Sequence, residues 1–131
     1  MKIAVVSDDG VYVSQHFGRA MLYVVATVEN GKVVKKEHRP KLAHHHFMPS
    51  DSQAKRQGKH GYDADSQSKH DQMFKSINDC QVLIVGGMGW GAYESMISYH
   101  IETIVTEINS INEAIGLYLT GKLTHQINRL D

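Results

Sequence analysis

The chain has 131 residues, the usual size of one domain, and can bury an adequate core without disulfides or a structural metal. Its 41% apolar and 21% charged residues exclude a disordered, collagenous or coiled-coil chain. Lys plus Arg is 14 and Asp plus Glu is 14, so the basic excess that phosphate neutralisation requires is absent and nucleic acid is a poor partner.

Lys2–Val6 is a short apolar run closed by Ser7-Asp8-Asp9-Gly10, the pattern of a buried strand and a turn. Met21–Val28 reads as a second strand. Glu29-Asn30-Gly31-Lys32 follows and supplies the Asn-Gly pair that a tight hairpin turn requires. Val33–His38 returns as the third strand, so the sheet begins with antiparallel pairing. Residues 40–65 are polar and aperiodic, hold both prolines and carry His44, His45, His46 and His60. A loop of that length in a compact domain is usually functional or disordered.

Ser66–Ile77 has helical spacing, with Met73, Phe74 and Ile77 on one face and His70 one turn earlier. Gln81–Val85 is a wholly apolar run, typical of a parallel strand covered on both faces. It enters Gly86-Gly87-Met88-Gly89-Trp90-Gly91, and a helix follows to about Tyr99 with Tyr93, Met96 and Ile97 as its stripe. Glu102–Val105 is a short last strand. Ser110-Ile111-Asn112-Glu113 opens the final helix, whose stripe is Ile111, Ala114, Ile115, Tyr118 and Leu119, and Gly121 closes it. The order is β-β-β-α-β-α-β-α: one α/β domain over 1–131, with a mixed five-stranded sheet and right-handed crossovers.

Cys80 is the one cysteine, which excludes an intramolecular disulfide, a CxxC redox motif and a Cys-rich zinc site; at the head of an apolar strand it reads as a small buried residue. No apolar run approaches the ~20 residues of a membrane helix. No signal-peptide core precedes Asp8. The expectation is a cytoplasmic protein without a membrane partner. The open edges of the sheet are compatible with a homodimer.

Three groups of residues could carry chemistry. Gly86–Gly91 lies where open α/β sheets place ligands, at a strand end and a helix start, where amide N–H groups can hold an anion or the sulfides of a cluster. The alternatives are a tight turn that merely needs small residues, or a dinucleotide site, since Gly87 to Ala92 fits G-x-G-x-x-A with Glu107 downstream. Ser14-Gln15-His16-Phe17-Gly18-Arg19 should lie at the same end of the sheet. His16 there is either a ligand or a histidine that fixes its loop. The nine histidines are the compositional outlier. Neutral imidazole is the commonest metal ligand, and in an extended segment His44 and His46 share a face on which they could chelate a single Zn, Fe, Ni or Cu ion.

Ile3–Ser7, His16-Phe17-Gly18-Arg19-Ala20, Glu29–Val33, Gly86-Gly87-Met88-Gly89 and Asn112–Leu123 together resemble the dinitrogenase iron–molybdenum cofactor biosynthesis family over nearly the whole chain outside 40–65. The resemblance implies a ribonuclease H-like fold and non-enzymatic binding or carriage of iron–sulfur or molybdenum-containing clusters, exchanged with a donor or acceptor protein. Carried over by position, His16 becomes the cluster ligand, and Gly86, Gly87, Met88 and Gly89, with Phe17, Gly18 and Arg19, become its cradle. His100 stands where the family often has glycine. Two other functions compete with a carrier. A nucleotide- or dinucleotide-binding regulatory module would use Gly87 to Ala92 and Glu107. A ribonuclease H-like nuclease would need carboxylates around two metal ions, but Gly86 and Gly87 stand where one of those acids should be.

Overall fold

The computed structural model describes residues 1–41 and 72–130. Five strands form one sheet in the order β3-β2-β1-β4-β5: β1 (Lys2–Ser7), β2 (Leu22–Glu29), β3 (Lys32–Pro40), β4 (Val82–Val85) and β5 (Glu102–Val105). The β1–β2 and β2–β3 pairs are antiparallel, whereas β1–β4 and β4–β5 are parallel. The mixed sheet expected from the sequence is therefore present. Because β1, β4 and β5 run the same way, the segments after Ser7, Val85 and Val105 all leave from one edge.

The β2–β3 turn follows from its two central residues. Asn30 and Gly31 take φ of 55° and 76°, the positive pair whose twist matches that of the flanking strands. Alternation along each strand then fills two cores. Ala4, Val6, Tyr23, Leu83 and Val85 face one side, where they meet Met73, Ile77 and helix α1 (Trp90–Ser98). Ile3, Val5, Val24, Val82 and Ile84 face the other, against Ile111, Ala114 and Ile115 of helix α2 (Ile111–Leu119).

Helix α2 starts where its cap dictates, with Ser110 Oγ accepting the Glu113 N–H at 3.2 Å. It ends at Gly121, whose φ is +74°. Helix α1 departs from the expected stripe. It buries Ala92, Ser95 and Met96, while Ile97 is 45% exposed. Of the helix expected over 66–77, residues 72–75 are helical; His70 lies outside the described residues. His100 adopts φ +66°, a conformation in which a side chain crowds the following carbonyl.

The chain does not stop at α2. Residues 122–130 return as a strap across the edge from which the loops leave. Gln126 N–H donates to Val105 O at 2.8 Å, and Val105 N–H donates to His125 Nδ1 at 3.1 Å. A short 3-10 turn, Ile127–Arg129, follows, and Leu130 pairs in parallel with Met88.

Candidate functional site

The loop after β1 is built by side chains that satisfy backbone amides. Asp9 Oδ1 accepts the N–H groups of Val11 and Tyr12, both at 2.9 Å, and these bonds, Tyr12 first, lower its carboxyl pKa. That carboxylate shapes the turn that follows β1. Among the described residues, no group of three or more His, Cys, Asp or Glu side chains is placed to hold a metal ion.

Further along, the loop locks onto the glycine turn. Gly86 N–H donates to Ser14 O at 2.8 Å and Phe17 N–H to Gly87 O at 3.0 Å. Between these bonds stands His16, whose carbonyl accepts the N–H groups of Arg19 and Ala20 at 3.2 and 3.1 Å. Its own N–H donates to Ser14 Oγ at 3.1 Å. The backbone of His16 is thus fixed while its side chain is exposed. Among the described residues the imidazole has no hydrogen-bonding partner.

The four cradle residues of the glycine turn divide into three kinds. A Cβ on Gly87 would sit 2.5 Å from Gln15 O, and one on Gly86 would lie 2.8 Å from Ser14 O. These two glycines allow backbone to pass against backbone, so the tight-turn reading describes them. Met88 is buried in the core. At Gly89 a Cβ would meet nothing within 4 Å among the described residues. Gly89 is the N-cap of α1, and neither a side-chain cap nor an acidic residue covers that helix end. Its amide N–H groups and partial positive charge make it the part of the turn suited to an anion.

Phe17 also changes role. It is buried at 2% exposure and supports the turn from below, while Gly18 is half-buried and Arg19 exposed. Among the described residues of these two loops, His16 and Arg19 are exposed and Gly89 is half-buried, and the Phe17–Gly87 hydrogen bond joins the segments that carry them. His44 and His46 lie outside the described residues. Cys80 is buried, and burial, reinforced by Asp79, pushes its thiol up to about 12, as expected of a structural residue.

Lys41, Gln15 and Arg129 complete the site, although none carries a sequence signal. Lys41 is 1% exposed. Its Nζ donates to Phe17 O and, at 3.1 Å, to Ala20 O, and it lies 4.4 Å from the centre of the Phe17 ring. Burial pushes this amine down to about 8. The unfolded chain holds that proton up to its ordinary value near 10.5, so between the two values the unfolded state binds more protons and stability rises with pH. Denaturant unfolding of wild type and Lys41→Met at pH 7.5 and 10 should show the wild type gaining about 2 kcal/mol on the variant. A constant difference would mean that Lys41 is not strained by its burial.

Comparison with known proteins gives a consistent answer. A family model described as "Dinitrogenase iron-molybdenum cofactor" matches residues 1–121. An uncharacterized protein of Methanocaldococcus jannaschii, MJ0580, is 32% identical over 123 residues, covering 94% of this chain and 89% of the relative. The crystal structure of PH0822 superposes with a TM-score of 0.64 at 21% identity, over 96% of this chain and 95% of that one. The apo form of the orange protein from Desulfovibrio gigas gives 0.61 at 17% identity, over 95% and 92%. At those identities the two structures show a shared fold.

Proposed function

Because the chain belongs to the dinitrogenase iron–molybdenum cofactor family, by a match over residues 1–121, we propose that it binds and carries a preassembled metal–sulfur cluster without turnover of its own. The observation that carries this reading is the fixed backbone of the exposed His16, whose neighbour Phe17 donates to Gly87 O at 3.0 Å, two residues before the uncapped start of α1 at Gly89. The ribonuclease H-like class implied by the resemblance, a cytoplasmic setting and exchange with a donor or acceptor protein belong to the same reading.

The donor set narrows the cargo. Iron–sulfur clusters are ordinarily held by cysteine thiolates, but the one cysteine is buried and its thiol is pushed up to about 12. A cluster held here brings its own sulfides. The protein adds one imidazole nitrogen from His16, the N–H groups of the first turn of α1 and the charge of Arg19. Such a site favours an anionic cargo, iron- or molybdenum-containing, gripped by few bonds and readily passed on. A single transition-metal ion on His44 and His46 would be a second, separate site in this proposal.

Trp90 supplies the test. It is the one tryptophan, it is the first residue of α1, and it is 44% exposed. Anaerobic addition of tetrathiomolybdate, a molybdenum–sulfur anion, should shorten its fluorescence lifetime by at least about twofold, saturably. Molybdenum should remain with the protein after desalting. An unchanged lifetime with no retained metal, both for this anion and for ferrous iron with sulfide, would overturn the carrier reading.

A further inference from the structure

The family match ends at residue 121, yet the strap that follows reaches back into the site. We propose that Arg129 is a positioning residue for cargo retention, an inference that rests on the carrier reading above. Arg129 Nε donates to Gly86 O at 2.9 Å, and Nη2 donates to Gln15 Oε1 at 2.5 Å. One guanidinium therefore ties the glycine turn after β4 to the loop after β1, the two segments between which the Phe17–Gly87 bond mounts His16. The planar fork suits this double attachment, whereas a lysine offers a single point charge on a flexible stem.

The strap is itself well held. Gln126 and Glu107 exchange two bonds, Glu107 N–H to Gln126 Oε1 at 2.8 Å and Gln126 Nε2 to Glu107 Oε1 at 2.7 Å. His125 Nδ1 accepts from Val105 N–H, so its proton resides on Nε2, which lies 3.3 Å from Tyr93 Oη. These bonds anchor the strap to the end of β5 and to α1 independently of Arg129. The guanidinium is then free to act on the two loops: one bond lands on the backbone of Gly86 and the other on the side chain of Gln15, and neither lands in the sheet or on α2. The strap thereby makes the geometry around His16 depend on residues beyond the family match.

The experiment compares wild type, Arg129→Ala, Arg129→Lys and His16→Ala in two measurements. In the cargo-free protein, hydrogen exchange at the Phe17 amide should be at least about tenfold faster in Arg129→Ala. Millimolar ethylguanidinium should partly restore the protection. After loading with tetrathiomolybdate, release from Arg129→Ala should be at least about tenfold faster than from wild type, with Arg129→Lys between them. If the Phe17 amide exchanges at the wild-type rate, or if Arg129→Ala releases cargo as slowly as wild type while His16→Ala does not retain it, the positioning role is wrong. If wild type retains no cargo, the carrier reading fails instead, and the exchange measurement still decides whether Arg129 sets the site backbone.

Discussion

His16→Ala should retain no more cluster than a protein without a site, at least about tenfold less than wild type, while its unfolding free energy stays within about 0.5 kcal/mol of wild type. The two expectations come from one geometry. The side chain of His16 is exposed and has no hydrogen-bonding partner among the described residues, so its removal breaks no side-chain hydrogen bond among them. Its backbone bonds to Ser14 Oγ, Arg19 and Ala20 persist with alanine. What disappears is the imidazole proposed as the cargo's ligand. Bound metal per protein after anaerobic desalting, read beside a denaturant curve, checks both halves. A variant that unfolds easily would show a structural histidine, and one that keeps its cargo would show that the ligand lies elsewhere.

Gly87→Ala should do the reverse and damage fold and site together. Its Cβ would lie 2.5 Å from the carbonyl oxygen of Gln15, a backbone atom that cannot swing aside. Relief requires the loop after β1 to move off the turn, which lengthens or breaks the Phe17–Gly87 bond. Overpacking of this kind and the lost hydrogen bond together cost about 2–3 kcal/mol, or a fall in Tm of about 5–10 °C. Retention should fall with it, because His16 is carried on the displaced loop. Gly89→Ala separates the two effects. A methyl there meets no atom of the described residues within 4 Å, so the cost is only glycine's advantage over alanine at an N-cap, about 0.5–1 kcal/mol, and stays well below that at Gly87. The methyl would nonetheless stand at the open end of α1, and weaker retention in that variant would place the cargo against that helix end. Thermal unfolding and bound metal for the two alanine variants make the comparison.

Much of this architecture can be read along the chain. The apolar runs of β1, β4 and β5 are long enough to name, Asn30-Gly31 admits one kind of turn, and Ser110 marks the start of α2 because its hydroxyl has one evident task. Their common direction brings His16 and the glycine turn to one edge. Three things are hidden because their signals are not periodic. Helix α1 buries Ala92, Ser95 and Met96 while Ile97 is exposed, so the face it turns inward is not the one its large apolar residues mark. Lys41 follows a proline in a polar stretch and reads as solvated, yet two carbonyls and the face of Phe17 receive its amine. The strap holds on through a histidine, a glutamine and an arginine bonded to backbone or to side chains of other segments, a pattern in which no residue type recurs at fixed spacing. The glycines illustrate a further limit. Sequence shows that small residues are needed at 86 and 87, but not whether the space is filled by a ligand or, as here, by the backbone of Ser14 and Gln15.

The measurement that tests the central claim most directly is bound metal per protein, after anaerobic loading and desalting, in wild type, His16→Ala and the double variant His44→Ala, His46→Ala. A cluster carrier built on the His16 turn predicts retention by wild type, loss in His16→Ala and a partial reduction or altered metal preference in the double variant. Full retention in His16→Ala, with loss in the double variant, would contradict it and move the site to the histidine-rich segment.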